Sequence, residues 1–291
     1  MKPAPFEYHR PTSLAETFDL LDRYGDDGRI LAGGQSLVPA LNMRLATPRA
    51  IIDINRLPGL DAIRMTPEGL AIGALTRQES LAGSALLREH APLLAEAAAH
   101  VGHEAIRARG TVGGSLALAD PAAELPACAV ALEASIEVTG RRGRRAIPAD
   151  EFFRGVYTTA LEPGEVVTAL VVPPAGPGWR AGLDELARRH GDFALAGLAA
   201  RVRVEGAAVG EARLVFFGVG PRPVRSRAAE AALAGRRPDA DALAAAGRAL
   251  DRDLDPPGDV HGSPALRRHL ARVLLARLMS RLVSPSTEAR P

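Results

Sequence analysis

The sequence has almost no cysteine: Cys128 is the only one among 291 residues. A single thiol cannot form an internal disulfide, and it cannot supply the four thiolates of an iron–sulfur cluster. The seven histidines show neither an H-x-x-x-H pair nor the spacing of a metal triad, so a dedicated metal site is not expected. Any redox chemistry in this chain must therefore use an organic cofactor.

Lysine is nearly absent as well. Lys2 is the only one, so arginine supplies almost all of the positive charge in a chain whose net charge is +2. The densest cluster comprises four arginines beside Gly140 and Gly143, with no aromatic residue between them: Arg141, Arg142, Arg144 and Arg145. We interpret it as a solvated hairpin turn in preference to an anionic partner surface, and nucleic-acid binding is not indicated.

Long apolar runs are also missing. No run approaches the roughly 20 residues that cross a bilayer, and Pro3, Pro5 and Glu7 interrupt the N-terminus where a signal peptide needs an apolar stretch. We therefore expect no transmembrane segment and a cytoplasmic location. The content of 47% hydrophobic and 24% charged residues is typical of a globular protein, and the length allows two or three domains.

Residue patterns divide the chain into three predicted parts: an α/β segment (1–57), a mixed segment (58–176) ending in the proline-rich PPAGPG, and a third segment (177–291). Predicted strands are 29–32, 50–54, 70–73, 135–139, 165–172, 195–204 and 213–219. Predicted helices are 14–25, opened by a Ser13/Glu16 capping box, then 37–44, 76–90, 92–101 and 121–132. A last helix has one apolar stripe, interpreted as a core face: Leu266, Leu270, Val273, Leu274, Leu278 and Leu282.

Two glycine-rich segments are predicted to be turns. The first is Ala32, Gly33, Gly34, Gln35, Ser36 and Leu37, and the second is Thr111, Val112, Gly113, Gly114, Ser115 and Leu116. Adjacent glycines allow positive φ angles and let backbone N–H groups approach an anion, and Ser36 is expected to open a helix. Neither segment matches a G-x-G-x-x-G or Walker A motif, and one such segment is more often a plain tight turn. Together they are consistent with a nucleotide site.

Few other residues suggest chemistry. Asp120 is equally well interpreted as the N-cap of a helix or as a contact to a ribityl or ribose hydroxyl of a cofactor. His100 and His103 flank a predicted helix end, where histidine is common, and Cys128 is expected to be a core residue. No Ser-His-Asp or Cys-His arrangement can be assembled, so no catalytic acid or base is predicted.

Longer stretches resemble a known family. They are AGGQSLVPALNMRLATPRAIIDINRLPGL (32–60), RARGTVGGSLALADPAAELPA (107–127), TTALEPGEVVTALVVP (158–173), ELARRHGDFALAG (185–197) and FGVGPRPVRSRAAEAAL (217–233). In this order they are similar to the FAD-binding medium subunit of molybdenum hydroxylases, the family of carbon monoxide dehydrogenase and xanthine dehydrogenase. The resemblance covers nearly the whole chain, and motifs of this length are specific.

The resemblance implies an α+β fold: a two-lobed PCMH-type FAD-binding domain followed by a C-terminal sheet-plus-helices domain. It also implies that both glycine segments wrap the FAD pyrophosphate, with backbone N–H groups and the hydroxyls of Ser36 and Thr111. Asp120 would then bond a polar part of the cofactor. Leu161 would cover the isoalloxazine region, and Phe193 would limit access to the ring.

The sequence departs from the family pattern at four positions. Gln35 and Ser115 stand where the family often has His and Asn, and Ala108 stands where it often has Asn. Glu185 aligns with a frequent lysine, a change expected to destabilise an anionic reduced flavin. Gln and Ser can still form hydrogen bonds, so FAD binding is expected to survive.

The resemblance further implies a flavoprotein oxidoreductase that works beside two partners. A molybdopterin-binding large subunit would oxidise the substrate, and a two-cluster iron–sulfur small subunit would relay electrons to the FAD of this chain and on to an external acceptor. Two alternatives stay open: a self-sufficient FAD-dependent oxidoreductase, and an assembly subunit that has lost FAD. Substrate, acceptor and stoichiometry are not predicted.

Overall fold

The computed structural model describes residues 2–284. Four β-sheets organise this part of the chain, three of them large enough to carry a core. The predicted boundaries at 57/58 and 176/177 fall between these three sheets, although the division into domains stays a prediction. Residue 1 and residues 285–291, which the predicted first and third domains include, lie outside the described residues.

The first sheet is small and parallel. Its elements in chain order are β1 (Glu7–His9), α1 (Leu14–Tyr24), β2 (Gly28–Leu31), α2 (Leu37–Asn42) and β3 (Ala50–Asp53). Strand β3 lies between β1 and β2 and is buried at every position, as expected for the apolar central strand of a parallel sheet. The Ser13 hydroxyl accepts from the amide of Glu16 at 3.2 Å, so the predicted cap of α1 is confirmed.

The second sheet is antiparallel and carries most of the helices. Its elements in chain order are β4 (Ile63–Thr66), β5 (Gly69–Gly73), α3 (Gln78–Gly83), α4 (Ala85–His90), α5 (Pro92–His100), α6 (Glu104–Arg107), α7 (Val112–Leu118), α8 (Glu124–Ala131), β6 (Ser135–Gly140), β7 (Gly143–Pro148), α9 (Ala149–Phe152) and β10 (Val166–Val172). The strand order is β4-β5-β10-β6-β7, and all seven residues of the central strand β10 are buried. A separate two-stranded ribbon pairs β8 (Phe153–Gly155) with β9 (Thr158–Thr159).

Two predicted helices of this region are corrected. The predicted helix 76–90 is interrupted at Ser84, whose backbone is extended and whose hydroxyl caps α4 by accepting from the amide of Leu87. The predicted helix 121–132 begins only at Glu124, because the residues after Pro121 form a turn.

The third sheet is an antiparallel meander covered by helices. Its elements are β11 (Trp179–Leu186), β12 (Ala196–Glu205), β13 (Ala208–Phe217), β14 (Val224–Arg225), α10 (Arg227–Leu233), α11 (Ala240–Ala249) and α12 (Pro264–Val283). Strand β11 was not predicted, and Gly210, predicted for the turn after β12, lies within β13. The turn itself contains Gly206 at φ 62°. The mixture of helix and sheet throughout confirms the α+β expectation.

The buried face of α12 differs from the predicted stripe. Leu274, Leu278 and Leu282 are buried as predicted, but Leu266 and Val273 are exposed. The neighbouring Arg267 is buried instead of Leu266. Its guanidinium donates to the carbonyls of Leu195 and Gly218, and these bonds hold it in the interior.

Helix α8 joins the second sheet to the third. All eight of its residues are buried, and it contacts α5 and α7 on one side and β12 and β13 on the other. Cys128 lies within it and has no exposed surface, so its predicted core position is confirmed. Burial raises the pKa of the Cys128 thiol well above its ordinary value.

The arginine cluster forms the predicted hairpin between β6 and β7, where Gly140 pairs with Gly143. Each arginine reaches a carboxylate: Arg141 contacts Asp19 and Asp22, Arg142 contacts Glu162, Arg144 contacts Glu137, and Arg145 contacts Glu165.

Across residues 2–284, no helix combines the length and apolar character needed to cross a membrane.

Candidate cofactor-binding site

The first glycine segment leaves strand β2 as an irregular turn with unused backbone donors. Gly34 has φ 76°, a conformation that glycine adopts without strain. None of the amides of Gly33, Gly34, Gln35 and Ser36 donates a hydrogen bond to an atom within residues 2–284. Ser36 directly precedes α2 as predicted, but its hydroxyl makes no capping bond and stays available. A curved run of free amides is the backbone arrangement that binds anions.

The second glycine segment is not a turn, which corrects the prediction. Thr111 is the N-cap of α7, its Oγ1 accepting from the amide of Gly114 at 3.1 Å, so both glycines lie inside the first turn of a helix. The amide of Val112 donates to the Thr76 carbonyl at 3.0 Å. Gly113 and Ser115 likewise donate to protein carbonyls. The amides from Val112 to Ser115 are thus already used within the protein.

Close packing explains the glycines of this second segment. A Cβ on Gly113 would lie 2.5 Å from the Cβ of Ala74, so any side chain there would collide with the end of β5. Ser115 is half-buried, and its hydroxyl makes no bond to another residue of the described chain. The side chains of Thr111 and Ser115, rather than the backbone, are therefore the polar groups that this segment can offer.

The first glycine segment touches the residues directly before the second. A Cβ added to Gly33 would lie 2.5 Å from the carbonyl oxygen of Arg109 and 2.8 Å from the Cα of Gly110. The glycine at position 33 is therefore required for the backbone of the first segment to approach the residues that precede Thr111. This contact brings the free amides of the first segment beside the second segment.

Asp120 is buried, and its carboxylate contacts the hydroxyl of Tyr157. Its Oδ1 accepts from the amide of Ala122 at 2.9 Å, and its Oδ2 accepts from the Tyr157 hydroxyl at 3.3 Å. The helix that follows has Ala123 as its N-cap, so the interpretation of Asp120 as a helix cap is wrong. Tyr157 was not predicted. Its backbone has φ 50°. Desolvation of its hydroxyl, and then the Asp120 charge, raise its pKa. An aromatic residue two positions after Gly155, in the ribbon loop, was the available signal.

The two apolar residues predicted to lie near the flavin ring differ in exposure. Leu161 packs partly against the main core. Phe193 is 73% exposed and lies in the loop between β11 and β12. This loop rests on the connection between α5 and α6, because the position of Gly191 leaves room for only a hydrogen against the ring of His103.

A buried charged cluster lies where α5, α8 and β11 meet. The Glu185 side chain is only 8% exposed, and its Oε1 lies 3.4 Å from Nδ1 of His100. Its Oε2 has no hydrogen-bond partner among residues 2–284. The contact with Glu185 raises the pKa of His100 despite the opposing effect of burial. Protonated His100 would offset the charge of Glu185, which bears on the expectation that Glu185 destabilises an anionic reduced flavin.

Glu124 belongs to the same cluster and was missed by sequence reasoning. Burial in α8, helped by the charge of Glu185, raises its pKa to about 8. A carboxyl group directly before the apolar run from Leu125 to Leu132 was the signal that could have revealed it. Within residues 2–284, no group of three or more His, Cys, Asp or Glu side chains is arranged to hold a metal ion.

Comparison with known proteins decides the family. Residues 4–175 match the family described as "FAD binding domain in molybdopterin dehydrogenase", and residues 181–282 match "CO dehydrogenase flavoprotein C-terminal domain". The chain belongs to the FAD-binding subunits of molybdenum hydroxylases. The free amides of the first glycine segment fit the pyrophosphate of such a subunit's FAD, whereas the residue assignments themselves stay predictions.

Individual relatives are similar over their full length. The α subunit of the 6-hydroxypseudooxynicotine dehydrogenase complex of Paenarthrobacter nicotinovorans is 40% identical, over 100% of this chain and 98% of its own. The carbon monoxide dehydrogenase medium chain of Hydrogenophaga pseudoflava is 37% identical, over 96% and 98%. The structure of quinoline 2-oxidoreductase from Pseudomonas putida 86 superposes with a TM-score of 0.92 at 35% identity, over 97% and 98%.

Proposed function

We propose that this FAD-binding subunit transfers electrons within a molybdenum hydroxylase complex. It takes electrons from the iron–sulfur clusters of a small partner subunit and passes them to an external acceptor, while a molybdopterin-binding large subunit oxidises the substrate. The residue content of the chain supports this division of labour. Its one cysteine is fully buried in α8 and cannot ligate a cluster, so electrons must come from another chain.

The run of free amides in the first glycine segment is the observation that carries the FAD site. A diphosphate is the anionic part of FAD, and unpartnered N–H groups with nearby hydroxyls are the groups that bind it. The proposed binding residues are Ala32, Gly33, Gly34, Gln35, Ser36 and Leu37, together with Thr111, Ser115, Asp120 and Leu161. Gly113 and Gly114, also predicted to bind, would contribute close packing of α7 rather than amide donors, because their amides already donate within the protein. FAD supplies the redox chemistry, and these residues hold it and set its surroundings.

The substrate is not set by this chain. Relatives of similar identity carry names that refer to carbon monoxide, glyceraldehyde and nicotine, although their sequences align with this chain over nearly their full length. One medium-subunit architecture therefore serves several substrates. We assign substrate choice to the large subunit.

Affinity purification of the tagged chain from its native host tests the proposal, with absorption spectra and mass spectrometry of the product. FAD together with a small cysteine-rich partner and a large molybdopterin-binding partner is the expected result. FAD without partners would favour a self-sufficient flavoenzyme. Partners without FAD would mean that the chain serves in assembly only.

A further inference from the structure

Arg77 lies at the point where the first two sheets and both glycine segments come together. It immediately precedes α3, and its backbone pairs with that of Thr111. Its guanidinium donates through NH2 to Oδ1 of Asn55 at 2.8 Å and through NH1 to the carbonyl oxygen of Arg109 at 2.5 Å. One side chain therefore bridges a residue that follows β3 and a residue that precedes Thr111.

Asn55 carries this contact on to the first glycine segment. Its Nδ2 donates to the carbonyl oxygen of Ala32 at 2.8 Å and to Oδ1 of Asp53 at 2.6 Å. The other end of the bridge, the Arg109 carbonyl, is the atom against which Gly33 packs. The guanidinium thus spans the contact between the two segments and is hydrogen-bonded to both sides of it.

The charge of Arg77 has no close counter-ion. Within the described part of the chain, no carboxylate lies within 4.0 Å of the guanidinium of Arg77 or of Arg109. Burial, and then the neighbouring charge of Arg109, lower the pKa of Arg77 by more than the charges of Asp53 and Glu79 raise it. An anion bound nearby would stabilise the charged guanidinium. The free amides of Gly33 to Ser36 mark where that anion would lie.

We propose that Arg77 is a positioning residue for the FAD pyrophosphate: it locks the first glycine segment, through Asn55, to the second, through the Arg109 carbonyl. This inference rests on the proposed FAD site. The planar guanidinium can satisfy two acceptors that face it from different directions, whereas a residue with fewer fixed donors cannot hold both segments at once. Arg77 acts through the segments and is not a catalytic residue.

The test compares Arg77→Met with Arg88→Met in the full-length chain stripped of flavin. Arg88 is a matched control because its guanidinium also donates to two backbone carbonyls, those of Ala82 and Gly83, on the exposed end of α3. Three probes are titrated: FAD, ADP for the pyrophosphate half, and riboflavin for the ring half. Thermal unfolding of the flavin-free chains reports general damage to the fold.

Arg77→Met is expected to weaken FAD and ADP binding about 10- to 100-fold, the effect on binding of losing about one hydrogen bond of a charged donor, because both bonds of Arg77 act on the cofactor only through the segments. Riboflavin binding and the unfolding temperature should stay close to wild type, as should every value for Arg88→Met. Arg77→Lys should restore only part of the affinity. Asn55→Ala should weaken FAD binding, and combined with Arg77→Met it should add less than its separate effect, because both substitutions break one bridge.

Wild-type affinity for FAD and ADP in Arg77→Met would overturn the inference while leaving the proposed FAD site intact. Equal losses for riboflavin, ADP and thermal stability would also overturn it, because they indicate a general structural role. A wild-type chain that binds no FAD would remove the proposed function itself, and this inference with it.

Discussion

His100 and Glu185 form an ionic contact across the junction between the second and third sheets, with 3.4 Å between Nδ1 and Oε1. His100 is the last residue of α5, where the helix dipole also favours a positive charge. Glu185 lies on β11, and its second carboxylate oxygen has no hydrogen-bond partner in the part of the chain that the structure describes. The pair therefore places a compensated, nearly buried charge beside α8 and its buried carboxyl group, Glu124.

Replacing Glu185 by Gln should lower the pKa of His100. The contact with the carboxylate is the main cause of the raised value, and burial alone acts in the opposite direction. NMR titration of the histidine ring signals measures the change directly. Glu89→Gln is the control, since the exposed Glu89 lies 3.7 Å from the half-buried His90 and the substitution should leave His100 unaffected. A His100 pKa that does not move in Glu185→Gln would contradict the assigned contact.

Glu124 should make the protein less stable as the pH rises. Its pKa is about 8 in the folded state against an ordinary 4.5, so the folded protein binds this proton more tightly than the unfolded chain. Stability from this group is therefore fully present below about pH 4.5 and falls until about pH 8. The raised pKa of His100 acts in the same direction, because its contribution is lost as pH rises through the folded value.

Urea unfolding at pH 5.5 and pH 8 tests this dependence with Glu124→Gln. The neutral amide cannot ionise, so the variant should be more stable than wild type at pH 8, on the order of 2–4 kcal/mol, with a much smaller difference at pH 5.5. Glu151→Gln, at an exposed position on α9, should follow wild type at both values. Parallel curves for wild type and Glu124→Gln would show that Glu124 is ionised at pH 5.5 or reaches solvent.

Patterns confined to neighbouring residues were predicted well. The Ser13 cap, the apolar strands β3 and β10 and the Gly140/Gly143 hairpin each follow from propensities that a short window contains. The family resemblance supplied the fold class and the cofactor, which propensities alone could not. The second glycine segment was misread because two adjacent glycines disfavour a helix, and only the Thr111 cap and packing on Ala74 stabilise one there.

Contacts between distant parts of the chain were not predictable. His100 and Glu185 are 85 positions apart in the sequence, and no local pattern indicates that they meet. The same holds for Arg77, whose partners Asn55 and Arg109 lie on either side of it along the chain. Such pairs depend on how the sheets pack, and long-range packing overrides local preference.

Gly33→Ala should disrupt the contact between the two glycine segments. The new methyl group would lie 2.5 Å from the Arg109 carbonyl oxygen, well inside van der Waals contact, and both neighbours are backbone atoms that cannot rotate away. Overpacking of this kind costs about 1–3 kcal/mol. We expect reduced FAD content after purification and a lower urea midpoint.

Gly83→Ala is the matched control for this substitution. It lies at the end of α3 with no atom within 4 Å of the added methyl group, so it should retain wild-type FAD content and stability. If Gly33→Ala also bound FAD at the wild-type level, the two segments would have to tolerate separation. That result would argue against a cofactor held at their contact.

Phe193→Ala should separate protein stability from flavin protection. Because Phe193 is 73% exposed, its removal should change the free energy of unfolding of the flavin-free chain by no more than about 0.5 kcal/mol. If its ring limits access to the flavin as proposed, iodide should quench the flavin fluorescence of the variant more strongly than that of wild type. Val260→Ala removes an equally apolar and still more exposed side chain, at 90%, from another loop, so it should leave both measurements unchanged. Equal iodide quenching in wild type and Phe193→Ala would place Phe193 away from the flavin, and its exposure would then need an explanation in a partner subunit.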